Sequence, residues 1–183
     1  RLIGPSHYYA GEGAFLSDSD YFSTPLGNIK VNKNIVNRLA SENKTFQIRN
    51  QAHAKEHSLE VQIPFIQKIL PKAQIIPLVY GQISPENLSK GLDKYLQRDD
   101  TILVVSADLS RYHTYEQAQL IDAQTADKIN NGQKIEDHAS CGAIGINAAL
   151  ILARQNNYHP QMLYLSNSGD TSGDKKRVVG YGS

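Results

Sequence analysis

The apolar positions of this chain fall into short runs separated by polar, turn-forming stretches. Leu2-Ile3 runs straight into Gly4-Pro5, a pattern that predicts a strand ending on a rigid turn. Residues 75–80 are apolar and stop at Gly81, and residues 101–105 are apolar, β-branched and bounded by polar positions. Both read as strands. Between them, Ser84-Pro85-Glu86 supplies an N-cap, a first-turn proline and an acid at the positive helix end. Leu88, Leu92, Tyr95 and Leu96 then recur at helical spacing through about Gln97. Thr114 and Gln117 form a T-x-x-Q capping box for a helix that stops at Asn130-Asn131-Gly132. Further helices are expected over residues 34–42, over the segment after Ser58, and over residues 142–156. The second places Leu59, Ile63, Ile66 and Leu70 on one face, with Pro64 as its weak point. The third is apolar almost all round and so reads as buried. Residues 158–165 and 177–181 are expected late strands.

Strands alternate with helices, and the strand runs are continuously apolar. The expected fold is therefore α/β, with a largely parallel or mixed central sheet and helices on both faces. Pro77 predicts an edge or a bulge within its run. No repeat, low-complexity tract or linker interrupts the chain, so its 183 residues are expected to form a single domain. Nineteen Lys+Arg against eighteen Asp+Glu give a formal charge of +1, which argues against a nucleic-acid coat. No apolar run reaches about 18 residues, and no charged-then-apolar leader opens the chain. The single cysteine has no partner for an internal disulfide. Together these predict a cytoplasmic protein.

In open α/β sheets, ligands sit beyond the carboxyl ends of the strands. Ser6-His7, Glu56-His57-Ser58, Asp108 and Cys141 fall at such positions or at helix starts. Ser140 can cap the buried helix, which would put Cys141 in its first turn and favour a thiolate, either nucleophile or soft metal ligand. A small apolar residue filling a gap is the alternative. His7 is a candidate metal ligand or base, or a histidine bonded to a loop carbonyl. Glu56 and His57 can orient one another or a ligand, or be a surface acid and imidazole. Asp108 can bind metal, hold a histidine or cap a turn. The polar, glycine-rich loop 167–174 matches neither an EF-hand nor a P-loop. His53, His113, His138 and His159 have no paired zinc spacing.

Taken in order, these motifs resemble the Memo family, also called AmmeMemoRadiSam system protein B. The matching pieces are Gly4-Pro5-Ser6-His7, the stretch 21–27 (YFSTPLG), Glu56-His57-Ser58-Leu59-Glu60, Ser106-Ala107-Asp108-Leu109-Ser110, Cys141-Gly142, the loop 167–174, and Arg177-Val178-Val179-Gly180-Tyr181. The resemblance implies a fold similar to class III extradiol dioxygenases, which use non-haem iron. It also implies a pocket of two histidines and a cysteine able to bind iron or copper. His7 would be the second of those histidines and Cys141 the cysteine. Asp108 matches the family's pocket aspartate, and Glu56 and His57 match a motif placed beside the ligands or lining the pocket. The family's first metal histidine lies in an Ala-Pro-His-Ala-Gly-Tyr motif upstream of Gly-Pro-Ser-His. That segment is absent from this sequence, so the chain is expected to lack the N-terminal part of the fold and to hold an incomplete ligand set.

Arg111 stands where the family usually has histidine, at the position of the dioxygenase acid–base residue. Arginine stays protonated, so ring cleavage is not expected, and His113 lies two residues away from the vacated role. Two imidazoles and a thiolate form a softer site than two histidines and a carboxylate, which favours copper or zinc, or redox chemistry at sulfur. The family name implies a radical SAM protein and a third system member as partners. The competing expectation is a non-catalytic module on the same fold that binds a peptide or metabolite. A hydrolase using Cys141 or Ser6 with His7 ranks last, because no G-x-S-x-G elbow is present.

Overall fold

The computed structural model describes residues 1–96 and 100–183. The chain divides into two compact units, Arg1–Ser106 and Ala107–Ser183.

The first unit contains β1 (Leu2–Pro5), β2 (Ala14–Leu16), the hairpin β3 (Tyr21–Thr24) and β4 (Gly27–Lys30), α1 (Lys33–Glu42), β5 (Phe46–Ile48) and α2 (Asn50–His53). A 3₁₀ turn (Glu60–Gln62), α3 (Ile63–Ile69), β6 (Pro77–Tyr80), α4 (Pro85–Leu96) and β7 (Val104–Val105) complete it. Five strands form one sheet in the order β5-β2-β6-β1-β7. The pairs β1·β6, β1·β7 and β2·β5 are parallel, whereas β2 runs antiparallel to β6. The fold is therefore α/β with a mixed, mostly parallel sheet flanked by helices. Leu2, Ile3, Phe15, Leu16, Leu78 and Val79 are buried, as expected for strands covered on two sides. Gly91 of α4 lies so close to the Phe46 ring that a side chain there would overlap it, which is how that helix packs against β5.

Three expectations for this unit change. Pro77 belongs to a central strand, with β1 on one side and β2 on the other. It is tolerated because it is the first residue of β6, and β2 pairs only with Leu78, Val79 and Tyr80. The strand expected over 101–105 shortens to Val104–Val105. Pro64 starts a helix instead of breaking one: a 3₁₀ turn ends at Gln62, and the proline occupies the first turn of α3, where its missing N–H costs nothing. Gln97 lies outside the described residues. The strands β2 and β5 had no expected counterpart, since three-residue strands leave too little pattern to read.

The second unit contains β8 (Arg111–His113), α5 (Tyr115–Asn130), α6 (Ala143–Gln155), β9 (Leu165–Asn167), the short α7 (Gly169–Ser172) and β10 (Val178–Gly182). Its three strands pair antiparallel in the order β8-β10-β9. The Thr114 capping box forms as the spacing predicts, and Gly132 takes a positive φ of 65° behind α5. The expected strand 158–165 reduces to its last residue. Pro160 removes a donor, and Tyr158, Leu163 and Tyr164 are all exposed, so no sheet face buries them. The loop 167–174 folds into α7, with Asp170 accepting from the Tyr115 hydroxyl (2.5 Å) and the Asn167 N–H (2.9 Å).

One close approach fixes the segment between Asp108 and Arg111. The Leu109 N–H donates to the Gly180 carbonyl (2.9 Å), and the Gly180 N–H donates to the Ser110 carbonyl (2.8 Å). The buried Asp122 carboxylate accepts the Ser110 N–H (2.9 Å). A Cβ at Gly180 would overlap that carboxylate. Gly180→Ala is therefore expected to cost about 2 kcal/mol, from overpacking and a displaced buried hydrogen bond. Thermal or urea denaturation measures it, and a wild-type midpoint would contradict this account.

Candidate metal centre

β1 delivers Ser6 and His7 at its carboxyl end. The Ser6 N–H donates to the Tyr80 carbonyl (2.8 Å), and its hydroxyl closes the turn on Tyr9 (2.9 Å to the carbonyl). The segment carrying Glu56, His57 and Ser58 lies against the same strand. Ser58 Oγ donates to the Pro5 carbonyl (2.9 Å), and a Cβ on Gly4 would sit only 2.8 Å from that oxygen. Glycine at position 4 is thus what admits the second segment.

The Glu56 side chain is only 1% exposed, yet it is encircled by donors. Its Oε2 accepts the His7 N–H (2.5 Å), and its Oε1 accepts the N–H groups of His57 (3.0 Å) and Ser58 (2.9 Å). His7 Nδ1 lies 2.9 Å from Oε1. Burial pushes the Glu56 pKa up, but the His7 N–H, the His7 ring and the Ser58 N–H overcome it, and the pKa falls to about 2. An ionised acceptor at Nδ1 selects the tautomer with hydrogen on that nitrogen, so the lone pair sits on Nε2. The His57 ring stacks on His7 with centroids 4.9 Å apart, and Tyr8 meets His57 edge-on. His7, Glu56 and His57 form the group of potential metal-ligating side chains found among the described residues, with ligand atoms within 4.8 Å of one another. Glu56 already accepts four hydrogen bonds, so the imidazoles are the better ligands and the carboxylate is their holder.

In the second unit, the Asp108 N–H donates to Cys141 Sγ (3.2 Å), and Ser140 Oγ donates to the Asp108 carbonyl (2.6 Å). Arg111 donates from Nε (3.1 Å) and Nη2 (2.7 Å) to Asp108 Oδ2. Cys141 does not enter the first turn of the helix. Gly142 is the N-cap and α6 starts at Ala143. Burial pushes the Cys141 thiol up, more than its bond from Asp108 and the charge of Arg111 pull it down. The expected helix-mouth thiolate is thus replaced by a half-buried thiol beside a guanidinium. His53 is structural: its Nε2 meets the Phe15 carbonyl at 2.9 Å, and burial lowers its pKa.

A family model described as Memo-like protein matches residues 1–183. The chain belongs to the Memo family. Among the curated relatives it matches are three named MEMO1 family protein. Those of Sulfurisphaera tokodaii and Metallosphaera sedula are each 33% identical, over 98% of this chain and 69% of their own length. That of Sulfolobus acidocaldarius is 32% identical over 98% and 68%. The Memo-type motifs of this chain thus bring His7 together with Glu56 and His57, and Cys141 together with Asp108 and Arg111. The Asp108–Arg111 pair and the Asp122 anchor escaped the sequence reading. For Asp122 a signal existed, because it shares the helical spacing of Ala118, Thr125 and Ala126 on the buried face of α5.

The Glu56 shift has a direction that acid titration reads. With a folded pKa of about 2 against an ordinary 4.5, the unfolded chain binds the proton first as pH falls. The stabilisation is complete above the ordinary carboxylate value and is lost on descent toward pH 2. Its size is roughly 1–3 kcal/mol after allowance for solvent screening. Stability measured from pH 6 to pH 2 should show this limb, and Glu56→Gln should flatten it while lowering stability at pH 6.

Proposed function

We propose that this Memo-family protein binds a transition metal through His7 Nε2 and acts in redox or modification chemistry. The observation that supports this most is the buried carboxylate on His7 Nδ1, which leaves Nε2 as the outward donor. A stacked second imidazole, His57, stands beside it. The family resemblance adds Cys141 as a thiolate ligand, with Asp108 close to its sulfur. Imidazole and thiolate donors favour copper or zinc over the iron of carboxylate-rich oxygenases. When bound, such a metal supplies Lewis acidity or one-electron chemistry. Glu56 fixes the tautomer and direction of His7, and the Asp108 N–H holds the sulfur. Arg111 engages the Asp108 carboxylate and takes no proton at neutral pH, so ring cleavage with a base at that position is not part of the proposal. The family's system name supports a radical SAM protein and a third member as partners, and the lone cysteine supports a reducing, cytoplasmic setting. Among the described residues, no helix is long and apolar enough to cross a membrane.

Metal analysis and competition titrations with Cu(I), Zn(II) and Fe(II) test this reading. Near-stoichiometric metal is expected, lost in His7→Ala and reduced in Cys141→Ala. Glu56→Gln should weaken affinity on the order of 10–100-fold, by releasing the ligand's orientation. Wild-type metal content in His7→Ala would refute the ligand assignment.

A further inference from the structure

Arg111 is only partly used by its ion pair. A guanidinium has five N–H donors. Here Nε and Nη2 both donate to a single oxygen, Asp108 Oδ2. This engages the edge formed by Nε and Nη2. The other edge, formed by Nη1 and the second N–H of Nη2, has no hydrogen-bond partner among the described residues, and the side chain is 30% exposed.

The surroundings favour an anion at that free edge. The Cys141 sulfur accepts the Asp108 N–H (3.2 Å), so it stands beside the same residue whose carboxylate Arg111 engages. Tyr181 follows Gly180, which exchanges backbone hydrogen bonds with Leu109 and Ser110 (2.9 and 2.8 Å), so this exposed residue brings a phenolic donor to the strand that holds the segment bearing Asp108 and Arg111. The next residue, Tyr112, takes a left-handed φ of 65° and lies under the Arg177 guanidinium, 4.8 Å from the ring centroid. Arg177 has no ion pair among the described residues, so it adds positive charge that Asp108 does not neutralise.

We infer that the free edge of Arg111, with the Tyr181 hydroxyl, is an anion site for the carboxylate of a small organic acid, and that it presents the bound acid to the Cys141 sulfur. A planar guanidinium edge with two parallel N–H groups matches the two oxygens of a carboxylate, which a lysine cannot reproduce. Asp108 holds the guanidinium from the opposite edge and so sets the direction of the free one. The site recognises substrate charge and needs no metal.

The test exploits the single cysteine, because every thiol alkylation then reports on one position. Second-order rates for iodoacetate and iodoacetamide are measured in chelator at low ionic strength, for the protein and for N-acetylcysteinamide. The iodoacetamide rate follows the thiolate fraction, so the ratio of the two rates isolates recognition of the anion. The ratio at Cys141 should exceed that of the small thiol by roughly fivefold or more. It should fall to the small-thiol value in Arg111→Gln and partly in Arg111→Lys and Tyr181→Phe. Titration calorimetry with oxalate and with inorganic phosphate supplies an arm that does not depend on reactivity at sulfur. Oxalate should bind the wild type on the order of tenfold more tightly than it binds Arg111→Gln. A wild-type ratio equal to the small thiol's, an Arg111→Gln ratio equal to wild type's, or oxalate binding that is absent or indifferent to Arg111 would each overturn the site. Phosphate binding without oxalate binding would overturn the carboxylate assignment. Since chelator is present throughout, these results are independent of the metal titrations of His7.

Discussion

The candidate site depends on one carboxylate that is buried and charged at once. Removing an ion from water is expensive, and a lone buried glutamate would take up a proton instead. Glu56 avoids this by accepting three backbone N–H groups and an imidazole. Two of those N–H groups come from its own segment and one from the turn after β1. The carboxylate therefore joins two pieces of chain about fifty residues apart and fixes a histidine ring in the same act. Deleting it would remove the junction and the orientation together.

The second unit uses the same device for a different purpose. Asp122 is a buried acid that holds a backbone N–H, at Ser110, and Gly180 packs against it with no room for a side chain. This fixes the start of β8, and with it the segment bearing Asp108 and Arg111. In both units a buried acid holds main chain, and side chains of the candidate sites project from the segment it holds.

Much of this was legible in the sequence because it was local. The capping box of α5 and the proline start of α4 are written in neighbouring residues, and both form as read. The ordered motifs pointed to the right family, because the pattern spans the chain. What the sequence did not reveal is non-local. Nothing around Pro77 says that β2 will arrive antiparallel one residue further along. Nothing around Cys141 says that it will be buried enough to raise the thiol instead of lowering it. The residues 158–164 looked like a strand because apolarity was visible, whereas the exposure of Tyr158, Leu163 and Tyr164 was not.

The backbone bond from His7 to Glu56 has a consequence of its own. Because the main-chain N–H holds Oε2 independently of the ring, removing the ring does not remove the acceptor. A truncated side chain at position 7 would leave an imidazole-shaped vacancy, floored by a charged oxygen and walled on one side by the His57 ring. Such a vacancy is a receptor for free imidazole, so the site lends itself to chemical rescue: a donor lost from the chain can be returned from solution to the place it left.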